Sequence, residues 1–130
     1  MLQSAALGFF AYELSFPVVK DLLTLLYPAY FNINDTSFAL MVEEYYALMA
    51  IGTVFLVPVT EECLFRGLIF GGFYPKNKAA AYILSAIAFS AIHIVSYLDL
   101  YEPMLLLLCF LQYLPAGFFL AWAYARSGTL

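Results

Sequence analysis

The sequence predicts an all-α protein, a polytopic transmembrane helical bundle, and two observations carry that expectation. Of the 130 residues, 65% are hydrophobic and only 11% charged, with a mean hydropathy of +0.91. A soluble domain typically devotes about a quarter of its residues to charge, so the surplus Leu, Phe, Ala and Tyr must face lipid. The apolar residues also collect into four stretches separated by polar or turn-forming residues. Successive crossings of a hydrocarbon core about 30 Å thick produce that pattern.

The first stretch runs from about Leu2 to Phe31 and is interrupted by Glu13, Pro17 and the Lys20-Asp21 pair. It reads either as one kinked span or as two shorter elements. Its start, MLQSAALGFF, lacks the basic n-region of a secretory signal. Asn32 to Ser37 reads as a loop, with Asp35 or Thr36 available to N-cap the next helix. The second stretch, Ser37 to Phe73, would extend roughly 55 Å as one straight helix, too long for a single crossing. Pro58 lacks a backbone N–H, so a break or kink is expected there. One helix then ends near Val57 and another carries Glu61 to Phe70. Gly71-Gly72 and Tyr74-Pro75-Lys76 make a turn, a third helix covers about Ala79 to Tyr97, and a fourth covers Pro103 to Ala125 with a kink at Pro115. The expected organisation is an N-terminal membrane segment and loop over residues 1–35, then one membrane domain over residues 36–130.

Charge narrows the function. The net charge is −4, and Lys20, Arg66, Lys76, Lys78 and Arg126 are the whole basic set. No basic stripe exists to neutralise phosphates, so nucleic acid is excluded as a partner. Lys76, Lys78 and Arg126 fall on one side of the predicted spans, and Asp99, Glu102 and the 32–37 loop on the other. The positive-inside rule makes the Lys76–Lys78 loop cytoplasmic, in a plasma membrane expected to be bacterial. Cys63 and Cys109 carry no pairing signature and read as buried free thiols.

Four residues stand out because a strong charge inside a membrane segment costs about 2.5–3.5 kcal/mol on insertion scales. Glu61, Glu62 and Arg66 lie in VPVTEECLFRGLIFGG, and His93, the single histidine, lies in ILSAIAFSAIHIVSY. On an ideal helix Glu62 and Arg66, four apart, share a face, which predicts a charge-assisted pair. Glu61 points elsewhere and needs another partner. Counted from the intervening turn, Glu61 and His93 both lie roughly 15–22 Å into their helices. Antiparallel packing could bring them together, directly or through one water, with Gly67-x-x-x-Gly71 and Ala86, Ala88, Ser90 and Ala91 permitting close approach. A carboxylate beside an imidazole suits activation of water for attack on a carbonyl. The alternatives are structural: an ion pair that fixes register for Glu62 and Arg66, and a buried polar contact between helices for Glu61 and His93. Nothing acidifies the Cys63 thiol, which argues against a cysteine nucleophile.

Glu61-Glu62-Cys63-Leu64-Phe65-Arg66 forms a Glu-Glu-x-x-x-Arg motif followed by Gly67, and Phe89-Ser90-Ala91-Ile92-His93 a Phe-x-x-x-His motif. With Pro58 ahead of the acidic pair and PAGFFLAWAYARSGTL at the end, residues 50–130 resemble the CAAX prenyl protease and bacteriocin-processing family of intramembrane proteases. The resemblance implies that Glu61 and His93 activate the attacking water. It implies that Glu62 and Arg66 organise the site, with Phe89 as motif support. It also implies membrane lipid as surroundings, and a peptide or protein substrate, including prenylated tails. The family's later His-x-x-x-Asn or His-x-x-x-Asp motif, held to stabilise the oxyanion, does not occur here, and truncation at the C-terminus is the expectation. No cofactor is expected. A divalent metal is the alternative, with Glu61, Glu62 and His93 as the candidate ligands and no His-Glu-x-x-His to support it. The rival functions are a non-enzymatic bacteriocin self-immunity or membrane interaction protein on the same scaffold, and a transporter component. Polar residues along several helices, or repeated halves, would mark a transporter, and the sequence has neither.

Overall fold

In a computed structural model of the chain, residues 2–127 are described, the side chains of residues 2–6, 8 and 9 excepted. The described residues are helical throughout, with no strand. Helix α1 spans Leu2–Leu26, α2 spans Ile33–Phe73, α3 spans Lys78–Ile92 and α4 spans Pro103–Ser127. A short 3₁₀ turn at Val95–Tyr97 follows α3. Among the described residues, three segments are long and apolar enough to cross a membrane: Ile33–Phe73, Lys78–Tyr97 and Pro103–Ser127.

The N-terminal stretch is one helix that continues through Pro17, which resolves the two readings of its sequence. The expected loop at 32–37 is corrected: Asn32, in extended backbone, is the N-cap, and α2 starts at Ile33. Its side-chain oxygen accepts the Asp35 N–H at 2.9 Å, satisfying one of the orphan donors of the first turn. The break expected at Pro58 is also corrected. Helix α2 runs 41 residues, about 60 Å at 1.5 Å per residue, and its non-helical backbone falls at Tyr45 (φ −128°, ψ 45°). Ahead of Pro58 lies a π-helical turn, Gly52–Leu56, closed by the Val57 N–H to the Gly52 carbonyl. This wider turn takes up the fault that a missing N–H would otherwise turn into a break. A second π segment, Glu62–Phe70, carries the acidic-basic motif.

Helix α3 ends sooner than expected, so His93 is its C-cap rather than an interior residue. The fourth helix runs unbroken through Pro115. Cys109 is buried as expected, but Cys63 is exposed on α2.

Helix α4 is the hub, packed along both α1 and α3, while the second half of α2 packs on α3. Three apolar clusters follow one another through the bundle. Leu23, Tyr30, Ile33, Leu105, Leu106 and Cys109 fill one end. Phe65, Phe89, Tyr113 and Ala116 fill the middle, and Phe70, Ala81 and Ala121 the other end. Large apolar side chains such as Leu25, Leu48, Phe55, Leu68 and Leu107 stay exposed on the outside, the arrangement expected where lipid is the solvent.

The glycines that permit close packing are not those expected. A Cβ on Gly67 would meet only the helix's own backbone at 3.8 Å, and one on Gly71 only the Arg66 carbonyl. The tight approach is instead between α3 and α4, where a Cβ on Gly117 would lie 2.9 Å from the Ala86 Cα.

Candidate active site

The four charged or titratable residues of the two motifs fall into two contacts. On α2, Arg66 Nε lies 3.3 Å from Glu62 Oε1, the i,i+4 pair anticipated from helical spacing. The Arg66 side chain is wholly buried whereas that of Glu62 is about half exposed. The guanidinium carbon sits 5.0 Å from the Phe89 ring centroid and 5.9 Å from that of Phe65. Aromatic faces thus supply part of the electrostatic compensation that water would give elsewhere. Ser85 of α3 donates to the Phe65 carbonyl at 3.2 Å and ties α3 to the same π segment.

Glu61 makes its close contact with α3 instead. Its Oε1 lies 3.7 Å from His93 Nε2, with both side chains mostly buried. His93 Nδ1 lies 2.7 Å from the Phe89 carbonyl oxygen. A carbonyl only accepts, so Nδ1 carries a proton, and Nε2 is the nitrogen that faces Glu61. The Phe-x-x-x-His spacing therefore has a local cause: residue 89 offers its carbonyl to residue 93 one turn later, and its ring to Arg66. The other face of the imidazole stacks on Tyr113 of α4, with centroids 4.1 Å apart and planes 20° apart.

A cavity of about 320 Å³ opens beside this pair. Glu61 and His93 line it together with Asn34, Met41, Thr53 and Tyr97. Its wall is apolar except for a few polar groups, the usual make-up of a small-molecule or peptide site. A water in it could reach both Glu61 Oε1 and His93 Nε2 at ordinary hydrogen-bond lengths, about 2.8 Å.

One polar cluster escaped the reading of the sequence. Gln112 of α4 is fully buried, and its Oε1 accepts from the Tyr30 hydroxyl and from Asn32 Nδ2, the latter at 2.7 Å. Gln112 Nε2 donates to the Phe16 carbonyl of α1 at 3.4 Å. Asn32 Oδ1 also accepts from the Tyr113 hydroxyl at 3.2 Å. The signal was present, since an amide within the apolar run LLLLCFLQYLPAG is costly unless paired.

Residues 43–130 match the type II CAAX prenyl endopeptidase family, Rce1-like, and so cover well over half of the chain. The chain belongs to this family. No curated protein and no solved structure matches it. The matched residues include Glu61, Glu62, Arg66, Phe89 and His93, and also Gln112 and Tyr113, but not Tyr30 or Asn32. Among the described residues of this family member, no three His, Cys, Asp or Glu side chains converge. Glu61 and His93 supply two donors, one short of the protein ligands a catalytic zinc ordinarily takes.

Proposed function

We propose that the chain is an intramembrane endopeptidase in which Glu61 and His93 activate a water molecule for attack on a peptide carbonyl. The observation that carries this reading is the 3.7 Å approach of Glu61 Oε1 to His93 Nε2 at the wall of an open cavity. Nε2 and the Glu61 carboxylate face the same point, so one can take the water's proton while the other holds the resulting hydroxide in line. Protonation of the amine leaving group returns that proton and restores the pair. Glu62 and Arg66 organise the site from behind, with Phe89 fixing the imidazole through its carbonyl and covering the guanidinium with its ring.

The substrate is a membrane-associated peptide or prenylated protein tail, a reading supported by family membership and by the apolar lining of the cavity. The protein acts as an integral membrane domain over residues 36–130, preceded by the N-terminal segment over 1–35, in a bacterial plasma membrane. The Lys76–Lys78 loop is cytoplasmic. Lys78 Nζ over the Tyr74 ring and Arg126 over Trp122 support placing this end at a membrane–water interface, where such aromatic residues collect. At the opposite end, Lys20 is compensated by Asp35 at 3.7 Å.

The test is cleavage of quenched-fluorescence peptides, farnesylated and unmodified, by the purified protein in lipid nanodiscs. Glu61→Gln and His93→Ala should each lower the rate by at least about 10²-fold, the usual worth of a positioned general base, with the fold intact. Undiminished cleavage in Glu61→Gln would refute the assignment.

A further inference from the structure

Asn32 occupies an unusual place in this molecule. It is 2% exposed, and each end of its side-chain amide does separate work. The oxygen caps α2, the helix that carries Glu61, and accepts from the Tyr113 hydroxyl. The nitrogen donates to Gln112, the residue beside Tyr113 on α4. The Tyr113 ring in turn lies flat against His93. A continuous chain of buried contacts thus runs from the start of the helix bearing the carboxylate to the ring of the imidazole.

A simple polar lock between helices would explain the Asn32–Gln112 contact, but it would not require Tyr113 to be both hydrogen-bonded and stacked. His93 has need of such a support. It caps α3, where the backbone leaves the helix, and within its own segment the ring is held by one hydrogen bond, to Phe89. That bond fixes one nitrogen, and the tilted Phe89 ring, 4.7 Å away between centroids, limits the swing of the imidazole about it without setting its plane. A flat neighbour on one face removes the swing, and the hydroxyl of that neighbour, tied to Asn32, prevents it from sliding away.

We infer that Asn32 and Tyr113 are positioning residues that set the plane of the His93 ring relative to Glu61, coupling the cap of α2 to the geometry of the water-activating pair. This rests on the proposed hydrolytic role of Glu61 and His93 for its functional meaning, though not for its structural content. Asn32 lies outside the residues that match the family, so the N-terminal part of the chain contributes to a site whose motifs lie in the matched part.

The test uses the fact that His93 is the single histidine. With the histidine ring labelled with ¹⁵N in the full chain in nanodiscs, the two ring-nitrogen shifts report the tautomer without any turnover. The wild type should show one fixed form with the proton on Nδ1. Tyr113→Leu should convert it to an exchanging mixture, and Asn32→Ala and Tyr113→Phe, each of which keeps the stacked ring but loses the tie between the hydroxyl and Asn32, should both fall between that mixture and the wild type. Unchanged shifts in Tyr113→Leu and Asn32→Ala would overturn the inference. If Tyr113→Leu does not fold, Asn32→Ala and Tyr113→Phe decide the matter by the same shifts. In the cleavage assay, the kcat of Asn32→Ala should fall by up to about 10²-fold with KM little changed, the signature of a misplaced catalytic group. Because the shifts need no turnover, an inactive wild type would count against the hydrolytic role and not against the positioning.

Discussion

Replacing Gly117 by alanine sets two effects of similar size against each other. In an ordinary helix interior, Gly→Ala is stabilising by about 0.8–1.0 kcal/mol, because glycine loses the most backbone freedom on ordering. At Gly117 the added Cβ would lie 2.9 Å from the Ala86 Cα, 3.2 Å from the Phe89 Cβ and 3.3 Å from the Ala86 carbonyl oxygen. Two of the three are backbone atoms, which no rotamer change can move. Helices α3 and α4 must separate, and forcing extra carbon into a packed contact typically costs about 1–3 kcal/mol. A 2.9 Å contact with backbone belongs at the upper end of that range, about 2–3 kcal/mol, so the clash wins and a net destabilisation of about 1–2 kcal/mol is expected. Gly52→Ala is the control, because nothing lies within 4 Å of a Cβ there and its dihedrals (φ −58°, ψ −53°) are ones alanine adopts freely. In a Cys63→Ser background, the rate at which buried Cys109 reacts with a thiol reagent serves as a clock for bundle opening. Labelling should be roughly 5–30-fold faster in Gly117→Ala than in its parent, and no faster in Gly52→Ala. If Gly117→Ala labels at the parental rate or more slowly, the α3–α4 approach is not as close as described.

Two further outcomes follow from the buried polar groups. Glu62→Gln leaves the wholly buried Arg66 guanidinium without its counter-charge, while Arg66→Met leaves a carboxylate that is half exposed and can be hydrated. Thermal unfolding in nanodiscs should therefore show Glu62→Gln to be the more destabilised, by about 1–3 kcal/mol, and the reverse order would contradict the asymmetry in burial. Tyr30 lies in the connection between α1 and α2, and burial raises its phenol well above the ordinary value of 10.0. Folding therefore favours the neutral phenol, so its contribution is fully present below pH 10 and is lost as the pH rises beyond that. The alkaline fall in melting temperature should be shallower in Tyr30→Phe, and identical alkaline slopes would rule this out.

Much of the bundle could be read from composition and spacing. The apolar stretches, the Glu62–Arg66 pair and the meeting of Glu61 with His93 all follow from polarity set against helical period, because each reflects the cost of a charge in an apolar setting. What escaped reading depends on tertiary partners. Asn32 became the cap of α2 because Gln112 and Tyr113, some eighty residues later, complete its hydrogen bonds. The fault in α2 moved from Pro58 to Tyr45 and to two π turns, which a count of 3.6 residues per turn cannot anticipate. Gly67 and Gly71 have the spacing of a packing motif but no neighbouring helix close against them, whereas Gly117 does. Spacing marks where an approach is permitted, and the partner helix decides whether it occurs.

The π turn at Gly52–Leu56 has a bearing on how this sequence can change. A π turn holds one more residue than the α-helical turn it replaces, so it behaves as an insertion absorbed inside a continuous helix. Loss of any one residue there would let the backbone ladder close in ordinary α-helical steps, with no hydrophobic residue needing to be replaced. Because the extra residue is absorbed locally, everything downstream would keep nearly the same rotation about the helix axis, with Glu61 still facing His93 and Arg66 still in its aromatic cradle. The approach of Glu61 to His93 is thus insulated from a one-residue change of count at this turn. Lineages of this chain should therefore vary in length by one residue across 52–56, an ordinary α-helical turn replacing the π turn in the shorter ones, more readily than between that turn and Glu61.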